Sequence, residues 1–166
     1  VLNKLDEALD FTDKILAETP FDTYTELLKS RLLIRNGQNE QAQTILQTIS
    51  SRLSLLTDVQ KSSNPSIAFV SGSAAFLQGN FEQAQKDLIY YVNTKPEDLS
   101  GINMLVEIYQ SQRQQDKVES LLERFEPRIK RDLYLALNLY NIYLKNNKTY
   151  KAKSLLNELE RYYPHN

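Results

Sequence analysis

Residues 65–96 read PSIAFVSGSAAFLQGNFEQAQKDLIYYVNTKP, and this stretch decides the fold. Pro65 suits the first turn of a helix, where its missing N–H is not needed. Ile67, Phe69, Val70, Ala74, Phe76 and Leu77 follow at helical spacing. The "QGN" of Gln78–Asn80 breaks the run and puts Gly79 where a left-handed C-cap is wanted. A second helix is predicted from Phe81, with Ala84, Leu88, Tyr91 and Val92 inward, and it stops before Pro96. The stretch is a helical hairpin.

The same plan recurs on both sides. "LDEA" ends at Ala8, "NEQA" at Ala42, "FEQA" at Ala84, "QDKV" at Val118 and "TYKA" at Ala152, at intervals of 34, 42, 34 and 34 residues. A fixed period of this size marks stacked copies of one supersecondary unit rather than a globule with a single core. Leu27, Leu32, Leu33 and Ile34 precede "NGQ", and Ala42, Ile45, Leu46 and Ile49 follow it. Ile102, Leu105, Val106, Ile108 and Tyr109 precede "QRQQ", followed by Val118, Leu121, Leu122 and Phe125. Leu135, Ala136, Leu139, Tyr140, Ile142 and Tyr143 precede "KNNK", followed by Ala152, Leu155, Leu156 and Leu159. Ahead of them all, Leu5, Ala8, Leu9, Ile15 and Leu16 form a lone second helix ending at Pro20. Nine helices are expected. The 42-residue interval holds eight extra residues between Ser50 and Pro65. Within it "SRLSLLTDVQK" is amphipathic enough to lengthen the preceding helix and "SSNPS" reads as a loop. A partner-binding protrusion is the alternative.

Composition bounds the class. Apolar residues are 41% and charged residues 25% of 166, which places the chain among folded rather than disordered sequences. Four Gly and five Pro are few enough for long helices with short turns. Cysteine is absent, so disulfides and thiolate metal sites are excluded while cytosol and periplasm both stay open. No apolar run approaches the roughly 18 residues of a membrane span. The chain opens on Val1 in the middle of a repeat, as expected of a segment excised from a longer protein. A net charge of −1 argues against a general nucleic-acid or anionic-membrane binder. Residues 1–26 carry two Lys/Arg against seven Asp/Glu and residues 124–166 carry nine against four, so the ends differ in sign. Solvated helix faces explain this most simply; a bias toward head-to-tail stacking is the alternative.

Further features fall in register with the period: a small residue in the first helix (Ser30, Gly72), Gly at the turn (Gly37, Gly79), an aromatic then Ala in the second helix (Phe81, Ala84), and a closing Pro (Pro20, Pro96, Pro164). Together these resemble the tetratricopeptide repeat over essentially the whole chain. The last unit departs from the pattern, with Tyr140 in place of the small residue. The resemblance implies an all-α, right-handed solenoid of helix hairpins. Its parts would be an orphan helix (1–20), a repeat with the insertion (21–64), and repeats over 65–98, 99–132 and 133–166. Close approach of paired helices requires the small residues, and Ala84 is expected to face Gly72. The phrasing from Phe76 to Leu122 is also similar to tetratricopeptide lipoproteins that accompany exosortase/PEP-CTERM exopolysaccharide systems of Gram-negative bacteria. That likeness implies a periplasmic or envelope-associated scaffold in polysaccharide export or protein sorting.

Nothing in the sequence is built for bond chemistry. The single histidine is His165, beside the terminal Asn166, so Cys–His or Ser–His catalysis and the usual zinc sites lack their parts. No phosphate-cradling glycine loop or H-E-x-x-H is present. Asp6-Glu7 and Glu158/Glu160 read as solvated helix faces, and Asn147-Lys148-Thr149 as a chance sequon. The basic groups Arg124, Arg128, Lys130, Arg131 and Lys145, Lys148, Lys151, Lys153 lack a pattern of aromatic stacking partners. No enzyme, cofactor, metal or nucleic acid is expected.

What remains is a surface. The resemblance implies that the first helix of each pair lines the concave side. The row facing that side is predicted as Tyr24, Leu27, Arg31 and Arg35; Phe69, Ser73 and Phe76; Asn103, Glu107 and Gln110; then Tyr134, Leu137, Asn141 and Lys145. Apolar anchors flanked by amides and charges suit an extended peptide or a partner helix. The competing expectation for Leu27, Phe69 and Leu137 is inter-repeat core. The lysine-led clamp of chaperone-binding members does not fit, because Leu27, Phe69 and Asn103 hold its leading place. Two functions follow: a protein-interaction scaffold, or a regulator whose pitch responds to a captured peptide. Geometry with and without peptide separates them. Polar capping repeats are lacking at both ends, so self-association through the terminal helices, weakened by salt, is a further expectation.

Overall fold

A computed structural model of the chain describes residues 2–164. The described residues are all-α, with no strand and eleven helices. They divide into two compact units, with the boundary between Tyr91 and Val92.

The first unit holds α1 (Leu2–Glu18), α2 (Thr23–Arg35), α3 (Asn39–Ser54), α4 (Asp58–Ser63), α5 (Pro65–Leu77) and the start of α6 (Phe81–Thr94). Here α1 packs on α2, α2 on α3, and α5 against α2, α3 and α4. Helix α5 is apolar or small almost all round, and Ala68, Phe69, Val70, Gly72, Ser73, Ala74 and Ala75 are all buried. A helix without a polar face belongs inside. The second unit holds α7 (Ser100–Ser111), α8 (Gln115–Arg124), α9 (Glu126–Ile129), α10 (Leu133–Lys145) and α11 (Thr149–Tyr162). Its core is Ile102, Leu105, Ile108, Leu122, Ile129, Leu135, Leu139 and Tyr143.

Four hairpins share one turn. Gly37, Gly79, Arg113 and Asn147 have positive φ, between 56° and 76°. In each, the N–H of that residue bonds back three residues and the next N–H bonds back five, as in Gly79 N to Phe76 O (3.0 Å) and Asn80 N to Ala75 O (2.8 Å). This pairing satisfies carbonyls that the helix end would leave bare. Five residues after each turn residue come Ala42, Ala84, Val118 and Ala152, all essentially without exposed surface. The periodic small residue is where each second helix meets its neighbours. Gly72 is approached most closely by Leu88 and Asp87 of α6, not by Ala84 as expected.

Eleven helices replace the nine expected, for two local reasons. The insertion lengthens α3 only as far as Ser54, not through Lys61. The chain leaves helical pairing after Ser54, and Thr57 and Gln60 form a reciprocal capping box that starts α4 afresh. Pro127 has no N–H for the interior of a helix, so α8 ends at Arg124 and a short α9 begins with Pro127 in its first turn. At the chain's two ends the apolar residues divide. Leu155 and Leu159 are buried while Leu156 and Tyr162 are exposed; Leu5, Leu9, Ile15 and Leu16 are half-buried.

Candidate functional site

The expected recognition row does not survive intact in the first unit. Tyr24 is 60% exposed and Arg35 is exposed, with Arg31 half-buried between them. Leu27, in contrast, is buried, and the exposed residue of that turn is Leu28. The outward row of α2 is therefore Tyr24, Leu28, Arg31 and Arg35, at helical spacing. Phe69 and Ser73 are buried and Phe76 is half-buried, so α5 offers no open recognition face. Phe69 acts as a floor instead. Its ring centroid lies 6.3 Å from Tyr24, stacked, and 4.8 Å from Tyr91. Aromatic pairs at these separations hold one another in place.

In the second unit the expected residues lie on α7 and α10. Asn103 and Gln110 on α7 are half-buried and Glu107 is exposed; on α10, Tyr134, Leu137, Asn141 and Lys145 are all exposed. Side-chain amides join the two helices. Gln110 Nε2 donates to Asn138 Oδ1 at 2.9 Å, and Asn138 Nδ2 donates to the Tyr134 carbonyl at 2.9 Å. Asn103 Nδ2 donates to Asp132 Oδ2 at 3.3 Å, while Asp132 caps α10 through the Leu135 N–H. Asn138 was missed in the sequence, although it stands one turn from Tyr134 on the same face. The result is a fixed surface: two apolar side chains, Tyr134 and Leu137, beside a row of amides.

A polar network links helices of this unit and engages Lys130, Lys148 and Lys151 of the basic residues noted above. Glu119, almost fully buried, accepts from Asn146 Nδ2 (2.8 Å) and Lys148 Nζ (2.7 Å). Glu123 accepts from Lys151 (2.8 Å), and Lys130 donates to Glu158 (2.6 Å) and lies 3.2 Å from Glu126. Tyr143 donates to Glu126. The Lys151 hydrogen bond lowers the Glu123 carboxyl below its ordinary range. Burial, then the negative Glu126 and Glu123, raise the Tyr143 phenol. Burial alone would lower Lys130, but its bonds to Glu158 and Glu126 outweigh that and raise it. These lysines hold helices together and are not a free cationic patch.

No three His, Cys, Asp or Glu side chains gather as metal ligands among the described residues, and no described helix is long and apolar enough to cross a membrane. His165 lies outside the described residues. No family model matches the chain, and no curated protein or solved structure matches it.

Proposed function

We propose that the chain is a non-enzymatic, tetratricopeptide-like interaction scaffold that binds a peptide or partner helix along its exposed first-helix faces. The observation that carries this reading is the α7–α10 face. Tyr134 and Leu137 stand exposed beside amides already oriented by Gln110–Asn138 and Asn103–Asp132 bonding. Apolar anchors next to preorganised amides fit a peptide, whose backbone needs donors and acceptors and whose side chains need apolar contact. The recurring turn and small residue support the repeat assignment, and with it the solenoid. A cell-envelope role belongs to the same proposal and rests on the phrasing of Phe76–Leu122.

Peptides selected by display on the intact chain test it. A variant with Tyr134→Ala and Leu137→Ala is expected to keep its helical content and lose affinity for the selected peptides by about 2 kcal/mol or more, as for truncated hot spots. Peptides that bind the variant as tightly as the parent would remove the α10 face from the account.

A further inference from the structure

The eight residues that the 34-residue plan does not require build something of their own. Helix α4 lies against α5, capped at its start by Thr57 and handed on through Asn64, whose side chain accepts from the Ser66 N–H at 3.0 Å. Between α4, α5 and α6 is a cavity of about 530 Å³, within the range of small-ligand and peptide side-chain pockets. Val59 and Lys61 come from the insertion; Ile67, Ala68 and Ser71 from α5; Gln83, Lys86, Asp87 and Tyr90 from α6. No residue of the outward α2 row lines the cavity.

Its charge is uneven in a telling way. Among its described lining residues the one carboxylate is Asp87, which accepts from Ser71 Oγ at 2.6 Å and Gln83 Nε2 at 2.7 Å. Among the described residues, the side-chain amines of Lys61 and Lys86 have no hydrogen-bonding or ionic partner. Elsewhere Lys29, Lys130, Lys148 and Lys151 are matched to carboxylates and Lys117 to the Tyr109 ring. Val59 stands 75% exposed at the same place, an apolar side chain held at the rim by a capped helix. Two unmatched cations beside an apolar wall are complementary to a carboxylate with an apolar neighbour.

We infer that this cavity is a docking site for an acidic peptide segment of a partner protein. An Asp or Glu side chain of that segment lies with Lys61 and Lys86, and an adjacent aliphatic side chain covers Val59, Ile67 and Ala68. Lys61 and Lys86, not Asp87, disfavour a basic segment here. The insertion thus gives the first unit a second contact, independent of the first-helix faces.

Fluorescence anisotropy on the intact chain tests this with a labelled peptide of alternating leucine and glutamate. Controls carry glutamine or lysine in place of glutamate. The glutamate peptide is expected to bind, to weaken as salt is raised, and to weaken at least about tenfold on Lys61→Glu with Lys86→Glu. Val59→Asp is expected to weaken it as well, with circular dichroism unchanged in both variants. The Tyr134→Ala, Leu137→Ala variant is expected to bind it normally, which separates this site from the proposed groove. Equal binding of the glutamine peptide, equal binding by the Lys61/Lys86 variant, or no binding by the parent chain would each overturn the inference. Displacement of the peptide by equimolar hexanoate would also overturn it, because the site would then take a small carboxylate.

Discussion

Gly72 on α5 and Leu88 on α6 stand so close that a methyl group built on Gly72 would lie 2.8 Å from Leu88 Cγ and 3.2 Å from Asp87 Cβ. Two opposing effects meet at this position. Alanine is favoured over glycine inside a helix by about 1 kcal/mol, while overpacking a filled interface costs about 1–3 kcal/mol. Leu88 is fully buried and Asp87 is bonded to Ser71 and Gln83, so neither can readily give way.

Gly72→Ala is therefore expected to destabilise the chain by about 1 kcal/mol, and Gly72→Val by about 3 kcal/mol, in urea unfolding. In a Leu88→Ala background, Gly72→Ala is expected to become neutral or stabilising, because the obstructing atoms are gone. A Gly72→Ala variant more stable than the parent would show that α5 and α6 are not in close contact here.

The shared turn makes a prediction with opposite signs at different copies. Gly37 and Gly79 have positive φ and nothing within 4 Å of a built Cβ, so Gly→Ala at either costs backbone strain alone, about 1 kcal/mol. Arg113 and Asn147 carry that strain already. Arg113→Gly is expected to raise stability by up to about 1 kcal/mol, and Asn147→Gly by less, since Asn tolerates the conformation. Thermal melts of the four variants check the pattern. Destabilisation by Arg113→Gly would mean that its side chain makes a contact worth more than the strain.

The turns, the small positions and the hairpins they define were legible because each rests on a local rule with a fixed period. The phase of the outward faces was not. Leu27 and Leu28 are adjacent leucines, so periodicity alone leaves open which one turns inward; packing on the neighbouring helices decides for Leu27. Helix α5 has no polar stripe, so periodicity could not decide between the recognition row and the core for Phe69 and gave no signal for the burial of Ser73. The helix break before Thr57 was readable in principle from the Thr57/Gln60 capping box, but the apolar run around it masked the signal.

The network in the second unit sets the response to pH. Glu123 is lowered from 4.5, so its contribution is present above that value and lost as pH falls through the lower folded value. Tyr143 is raised from 10.0 and Lys148 from 10.5, the latter first by its bond to Glu119; their contributions are complete below those values and lost as pH rises beyond them. Urea midpoints at about pH 3, 7 and 11 are expected to peak in the middle. Glu123→Gln is expected to lower stability at neutral pH by less than about 1 kcal/mol, because the pair is partly exposed, and to flatten the acid limb. Tyr143→Phe is expected to flatten the alkaline limb. Acid and alkaline limbs unchanged in these variants would place the titration elsewhere.

Peptide binding along the first-helix faces is best checked by an amide NMR titration of the intact chain with a display-selected peptide. The largest shifts are expected on Glu107, Gln110, Tyr134, Leu137, Asn138 and Asn141, with side-chain amide signals of Gln110 and Asn138 moving as their mutual bond is adjusted. Shifts confined instead to outward residues of α11, such as Tyr150 and Leu156, would contradict it.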